Sequence, residues 1–162
     1  MDVPDLEAVI ATFWRISNHL ELNGRGGLIA SGRWHSMGQP IVYLGESPAG
    51  VLQEHLVHLT SRNGKLPASY NLLEIKASES LAITSIEPSG TTDWQNSLTA
   101  TQQLGDAWLA GLETPLARVP SVILPSTWNL LLNPRHEEAM EIEVVSAGEY
   151  RFDQRLFRFG SR

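Results

Sequence analysis

The order of apolar and polar residues along the chain predicts many short strands and two longer helices. Short apolar runs bounded by glycine, proline or polar turn residues are typical of strands. On that basis, strands are expected at residues 13–16, 41–44, 70–75, 81–83, 119–124, 128–132, 140–145 and 156–159.

The first predicted helix follows the second predicted strand. Ser47 is a typical N-cap and Pro48 suits the first turn, so a helix is expected from there to about residue 60. Its apolar face combines residues at helical spacing, namely Val51, Leu52, His55, Leu56 and Leu59. Glu54 lies at the flank of that face, four residues before His58.

A second helix is expected over residues 99–111, with Leu104, Ala107 and Trp108 pointing inward and Gly111 as its stop. A short helix or arm is expected near residues 6–12. Since no linker composition or internal repeat divides the 162 residues, we predict one compact domain, residues 1–162, of the α+β class.

Composition excludes several classes of protein. The net charge is −6, from 12 Lys and Arg against 18 Asp and Glu, and this balance argues against an electrostatic grip on nucleic acid. With no cysteine, disulfides and thiolate metal sites are excluded. The first residues do not resemble a signal peptide and no apolar run is long enough to span a membrane, so a cytoplasmic protein is expected.

Candidate chemistry is concentrated between residues 24 and 58. The loop over residues 18–40 carries five glycines, so it is either a ligand cradle or a flexible connection. Arg33 lies in this loop, Tyr43 on a strand and Glu54 on a helix, and side chains from separate elements can converge on one polar ligand. Taken singly, each has a simpler interpretation: a solvated arginine, a half-buried tyrosine and an ordinary helix pair with His58.

The sequence does not match the more specific motifs of metal-binding, phosphate-binding or hydrolase sites. His55 and His58 are three residues apart, which is not the spacing of a zinc protease motif, and no metal site is expected. The segment GRGG lacks the lysine of a phosphate-binding loop, and no G-x-S-x-G elbow is present. The polar residues between 125 and 136 read most simply as a pair of turns.

Several segments together resemble one family. These are WRIS, GGLIASGRWHSMGQPIVYLGESPAGVLQEHLVH, LGDAWL and LPSTWNLLLNPRH, in this order over roughly residues 13–145. They are similar to the RES domain, the toxin half of a class of bacterial toxin–antitoxin pairs. The resemblance implies a fold like the catalytic core of ADP-ribosyltransferases and cleavage of the nicotinamide–ribose bond of NAD⁺, by hydrolysis or by phosphorolysis.

The resemblance also implies roles for particular residues. Arg33, Tyr43 and Glu54 match the family's catalytic arginine, tyrosine and glutamate. Arg15 matches a second arginine that would contact the pyrophosphate together with Arg33. Tyr43 would stack on nicotinamide, and Glu54 would stabilise positive charge on the ribose.

The late part of the resemblance supplies binding residues. The family serine is assigned to Ser126, with Ser121 as the alternative because both follow a proline. Asn129 is expected to bind the ligand as well, and His136 matches the same segment with a weaker claim.

The resemblance makes NAD⁺ the substrate, with no cofactor, and implies a partner. The expected partner is an antitoxin of the Xre type with a helix-turn-helix region, held in a hetero-oligomeric complex, with no direct nucleic-acid contact by this chain. Two alternatives stay open: an ADP-ribosyltransferase that modifies a protein target, and a non-catalytic binding module.

Overall fold

The computed structural model describes residues 10–59, 66–89 and 93–158. Its strands are β1 Ile10–Ile16, β2 Val42–Gly45, β3 Ser69–Ser78, β4 Ile83–Ser85, β5 Leu116–Pro120, β6 Trp128–Leu132 and β7 Glu143–Arg151. Its helices are α1 Arg25–Ile29, α2 Pro48–Leu59 and α3 Leu98–Gly111. Single 3₁₀ turns cover Trp94–Asn96, Glu137–Glu141 and Gln154–Phe157. None of the described helices is both long and apolar enough to cross a membrane.

The strands form one mixed sheet in the order β4-β5-β6-β2-β1-β3-β7. Only the β4–β5 pair is parallel within this sheet, and the other pairs are antiparallel. Late strand β6 lies beside early strand β2, with Asn129 directly opposite Gly45. The sheet therefore brings the start of α2 next to the segment that joins β5 to β6. The predicted α+β class is confirmed.

Apolar side chains pack on both faces of the sheet because alternate residues of a strand point to opposite sides. On β6, Leu130 and Leu132 join one buried cluster and Leu131 joins the other. The first cluster includes Phe13 and Ile75, and α3 contributes Trp108 to the second.

The two longer helices confirm the local sequence signals. The Ser47 hydroxyl accepts a hydrogen bond from the Gly50 N–H at 3.0 Å, and α2 begins at Pro48. The prediction for the inner face of α3 was partly wrong, because Leu104 and Ala107 are exposed. The buried residues of α3 are Thr101, Gly105, Trp108 and Leu109.

Several predictions of strands, helices or loops were wrong in position or type. The strands expected at 81–83 and 140–145 begin two and three residues later, as β4 Ile83–Ser85 and β7 Glu143–Arg151. The strand expected at 119–124 is β5 at Leu116–Pro120, and an irregular loop follows it. A 3₁₀ turn, Gln154–Phe157, replaces the strand expected at 156–159, whose last residue lies outside the described residues. Residues 10–12 belong to β1 rather than to a helix or arm, and residues 6–9 lie outside the described residues. The loop over 18–40 contains α1.

Candidate functional site

A cavity of about 540 Å³ lies between the glycine-rich loop, β2 and α2. This volume is in the range of small-molecule sites, roughly 300–1,000 Å³. Five of the six predicted site residues line it: Arg15, Arg33, Tyr43, Glu54 and Asn129. The convergence expected from the sequence is therefore present.

The carboxylate of Glu54 is held from one side by two side chains of the late strands. Its Oε1 accepts hydrogen bonds from the Ser121 Oγ at 2.9 Å and from the Asn129 Nδ2 at 2.8 Å. The Ser121 Oγ in turn accepts from the backbone N–H groups of Ile123 and Leu124, at 3.1 and 3.3 Å. A hydroxyl has one hydrogen, so these bonds direct the hydrogen of Ser121 at Glu54.

Hydrogen bonds to an ionised carboxylate are stronger than those between neutral groups. Both bonds to Glu54 use Oε1, and Oε2 accepts none from the residues that the structure describes. The arrangement fixes the orientation of the carboxylate while one oxygen keeps its capacity for a ligand.

The structure does not bring Ser126 to this site. Ser126 is exposed, has a positive φ of 57° and does not line the cavity. Because β5 ends at Pro120, earlier than expected, Ser121 is the first residue beyond the strand and contacts Glu54. Ser121, the alternative left open by the sequence, thus occupies the position expected for Ser126.

His136 also lies away from this cavity. Its Nδ1 accepts a hydrogen bond from the Glu138 N–H at 3.1 Å, so His136 caps the 3₁₀ turn Glu137–Glu141. This hydrogen bond gives His136 a local structural role.

The hydroxyl of Tyr43 points toward the glycine-rich loop. It accepts from the Trp34 N–H at 3.1 Å and lies 2.7 Å from the His35 Nδ1. The other ring nitrogen of His35, Nε2, is 2.9 Å from the carbonyl oxygen of Ala30. Burial raises the pKa of Tyr43 well above its ordinary value, so the phenol stays protonated at neutral pH.

Helix α3 holds the backbone of the loop that carries Arg33. The Thr101 Oγ1 donates to the Arg33 carbonyl at 2.7 Å, and the Gln102 Nε2 donates to the Gly32 carbonyl at 3.0 Å. Asp106 accepts from both the backbone N–H and the hydroxyl of Ser36, at 2.9 and 2.6 Å. The loop is therefore fixed by side chains about 70 residues later in the chain.

A glycine makes this close approach possible. A Cβ at position 105 would lie 1.7 Å from the Trp34 carbonyl oxygen, which is inside van der Waals contact. Trp34 itself is 2% exposed and packs against Trp94, with ring centroids 6.0 Å apart. The segment LGDAWL thus carries the glycine and the aspartate through which α3 contacts the loop.

The two arginines of the cavity are held differently. The Arg33 Nη1 donates to the carbonyl of Gln95 at 2.9 Å, and the guanidinium has further N–H donors. The Arg15 Nη1 lies 3.5 Å from the carbonyl of Glu21. Burial lowers the pKa of Arg15, but a guanidinium remains protonated in proteins. Among the residues that the structure describes, the cavity lining therefore presents two guanidinium cations and one carboxylate.

His55 lies on the α2 wall of the cavity. Burial, together with the nearby His58, lowers the pKa of His55, so its ring is neutral at neutral pH. The ring of His55 stacks on Phe152 with an interplanar angle of 8°. Within the described ranges, no three His, Asp or Glu side chains are grouped so that they could hold a metal ion.

Sequence reasoning missed His35 and Asp106 as parts of this site. Both lie inside segments that the family resemblance quoted, RWHS and LGDAWL, but neither was assigned a role there. The signal that could have identified them was a titratable side chain close to a tryptophan in a quoted segment: His35 follows Trp34, and Asp106 lies two residues before Trp108.

The chain is similar to known proteins along most of its length. The family model described as the RES domain matches residues 12–153. A protein named Toxin Res from Pseudomonas putida KT2440 is 38% identical over 144 residues, covering 89% of this chain and 98% of that protein. A protein named Prs ADP-ribosylating toxin from Sphingobium sp. YBL2 is 34% identical over 158 residues, covering 91% and 97%.

A solved structure supports the fold. The chain is similar to a chain in the crystal structure of the M. tuberculosis MbcT–MbcA toxin–antitoxin complex, with a TM-score of 0.71. The likeness covers 89% of this chain and 86% of that one at 18% identity, so it bears on the fold alone.

Proposed function

The chain belongs to the RES domain family, and from that premise we propose that it is the toxin of a toxin–antitoxin pair and acts by breaking the nicotinamide–ribose bond of NAD⁺. The observation that supports this proposal is the fixed carboxylate of Glu54, which lies in one cavity with Tyr43 and the two arginines.

The proposed reaction moves positive charge from the nicotinamide ring to the ribose. The bond between the ribose C1′ and the nicotinamide nitrogen breaks, its electron pair leaves with nicotinamide, and nicotinamide becomes neutral. Positive charge then develops on the ribose, where a fixed carboxylate stabilises it. An acceptor oxygen adds to C1′ and releases a proton. Among the described residues of the cavity wall, Glu54 supplies the carboxylate, and its role in this reaction is to stabilise the charge on the ribose.

The other cavity residues have binding roles in this proposal. The ring of Tyr43 stacks on the cationic nicotinamide, an arrangement favoured by the aromatic quadrupole. Arg33 and Arg15 supply guanidinium donors for the pyrophosphate, which such groups bind well. Ser121 and Asn129 act through Glu54, because both donate to its Oε1.

The acceptor oxygen defines the reaction class. Water as acceptor gives hydrolysis and phosphate gives phosphorolysis. Transfer to a protein is the second candidate, favoured by the 34% identical relative whose name describes an ADP-ribosylating toxin. Mass spectrometry of the products separates free ADP-ribose, its phosphorylated form and a modified protein.

We propose that the partner is an antitoxin of the Xre type that covers the cavity mouth. Exposed apolar side chains lie on α1 and α2, two helices with other residues in the cavity lining, and we call these side chains the apolar rim. Ile29 and Leu28 on α1 are 80% and 45% exposed, and Val57 on the α2 wall is 48% exposed. Exposed apolar groups beside a cavity are typical of protein-binding sites.

The test of the reaction compares three forms of the chain expressed without an antitoxin. Cellular NAD⁺ should fall with the parent chain. Glu54→Gln should lose about 100-fold or more of the activity, since removing one preorganised electrostatic contact costs enzymes about that much. The glutamine keeps an oxygen that Ser121 and Asn129 can bond, so the fold should survive.

Glu46→Gln is the matched control. Glu46 is exposed, lies outside the cavity and pairs with Arg118 at 3.5 Å. This variant should deplete NAD⁺ as fast as the parent chain. An unchanged NAD⁺ level with folded parent protein would refute the proposed reaction, and full activity of Glu54→Gln would refute the role of Glu54.

A further inference from the structure

His35 is a buried titratable residue to which the proposed reaction assigns no role. It is 3% exposed, and both of its ring nitrogens have partners. Nε2 lies 2.9 Å from the Ala30 carbonyl oxygen and Nδ1 lies 2.7 Å from the Tyr43 hydroxyl. A buried imidazole with two short contacts has a defined orientation.

These contacts fix the direction of each hydrogen bond. A carbonyl oxygen is an acceptor only, so the neutral ring must carry its hydrogen on Nε2, which donates to Ala30. The Nδ1 is then an acceptor, and the Tyr43 O–H donates to it. The Tyr43 oxygen accepts from the Trp34 N–H at 3.1 Å.

The hydroxyl of Tyr43 thus forms its hydrogen bonds with Trp34 and His35 of the glycine-rich loop. It is also enclosed there, because a Cβ at Gly32 would come within 2.6 Å of the hydroxyl oxygen. A ligand in the cavity therefore meets the ring of Tyr43 rather than its polar end.

We propose that His35 is a positioning residue. In its Nε2–H form it accepts a hydrogen bond from the Tyr43 hydroxyl, and this bond orients the Tyr43 ring as a flat surface for the nicotinamide group. This role rests on the proposed function for its ligand. The hydrogen-bonded chain from Trp34 to Ala30 can be tested without any ligand.

The kinetic test is a double-mutant cycle on NAD⁺ consumption. His35→Leu keeps a similar volume without polar atoms, and we expect it to raise the KM for NAD⁺ about tenfold while kcat changes less than about twofold. His35→Asn keeps a polar group near Nδ1 and should recover most of the affinity. In the Tyr43→Phe background, His35→Leu should have no further effect.

A merely structural role gives a different result. Leucine at this position would then weaken NAD⁺ consumption by the same factor in the parent and in the Tyr43→Phe background. Such additivity would overturn the proposal, as would a failure of His35→Asn to improve on His35→Leu.

The second measurement is ¹⁵N NMR of the chain without NAD⁺, at a pH above the usual pKa of imidazole. His35 should show a protonated Nε2 and an unprotonated Nδ1, and Tyr43→Phe should shift the Nδ1 resonance. The opposite tautomer would refute the proposal even if His35→Leu does not fold. If the parent chain consumes no NAD⁺, the proposed function fails while these spectra still decide the role of His35.

Discussion

Ser121→Ala should reduce the activity of the chain without dismantling the cavity. The Ser121 Oγ donates to the Glu54 Oε1 at 2.9 Å, and Ser121 is 8% exposed. A hydrogen bond to a charged group contributes about 1.5–3 kcal/mol. Each 1.36 kcal/mol corresponds to about a tenfold change in rate. Because Asn129 still donates to the same oxygen, we expect a loss of about 10- to 30-fold in kcat/KM.

The same substitution has a separate cost in stability. The backbone N–H groups of Ile123 and Leu124 lose their acceptor, so the free energy of unfolding should fall by about 1–2 kcal/mol. For a domain of this size, that corresponds to a decrease of roughly 2–8 °C in Tm. Thermal unfolding and NAD⁺ consumption, measured on the same samples, separate the two effects.

Ser126→Ala is the matched control, because it removes the same hydroxyl from an exposed position outside the cavity. Surface substitutions usually change stability by less than about 0.5 kcal/mol, and activity should be unchanged. A large loss of activity in Ser126→Ala together with a mild effect of Ser121→Ala would refute the assignment of the serine from this geometry.

Three further predictions concern the loop, the tyrosine and the rim. Gly105→Ala should lower the free energy of unfolding by about 3 kcal/mol in chemical denaturation, because its Cβ would clash with the Trp34 carbonyl. Gly111→Ala should have no such cost, since a Cβ there would meet only the Glu113 side chain at 4.0 Å, and equal effects of the two variants would contradict the close packing. Burial raises the pKa of Tyr43 above its ordinary value of 10.0, so stability should fall as pH rises through that value, and Tyr43→Phe should remove this part of the loss in alkaline denaturation curves. Ile29→Asp should weaken antitoxin binding in calorimetry while NAD⁺ consumption is retained, and unchanged affinity would contradict the rim as its contact.

Local signals in the sequence predicted the elements that depend on neighbouring residues. Ser47 and Pro48 predicted the start of α2. Glu54 lies on this helix and lines the cavity. The strand β6 was predicted at its observed bounds because its apolar residues are followed by Asn133 and Pro134 and preceded by the polar turn residues 125–127.

The end of β5 could not be predicted in the same way. Val122 and Ile123 are apolar because they line the cavity, not because they pair in the sheet. Their side chains therefore extended the apparent strand toward residue 124. The serine was assigned separately, from the family resemblance, and because Ser121 and Ser126 both follow a proline, the sequence did not decide between them.

The inner face of α3 was misjudged for a related reason. Thr101 and Gly105 face inward because they contact the backbone of the Arg33 loop, and such contacts require small or hydrogen-bonding residues. Apolar periodicity pointed to Leu104 instead, which is exposed. The loop residues that Thr101 and Gly105 contact, Arg33 and Trp34, lie far earlier in the chain, and no local pattern specifies such a pairing.

The long separation between Glu54 and its two donors has a consequence for synthesis on the ribosome. Ser121 and Asn129 follow Glu54 by 67 and 75 residues. Strand β6, which carries Asn129, must also insert beside β2 before the sheet around the cavity is continuous. A nascent chain that ends before β6 has the glutamate and can include Ser121, but it lacks Asn129, the second group that orients the carboxylate. Under the proposed function, such an incomplete chain should therefore be inactive, and full activity should first arise after Asn129 and the rest of β6 have been made.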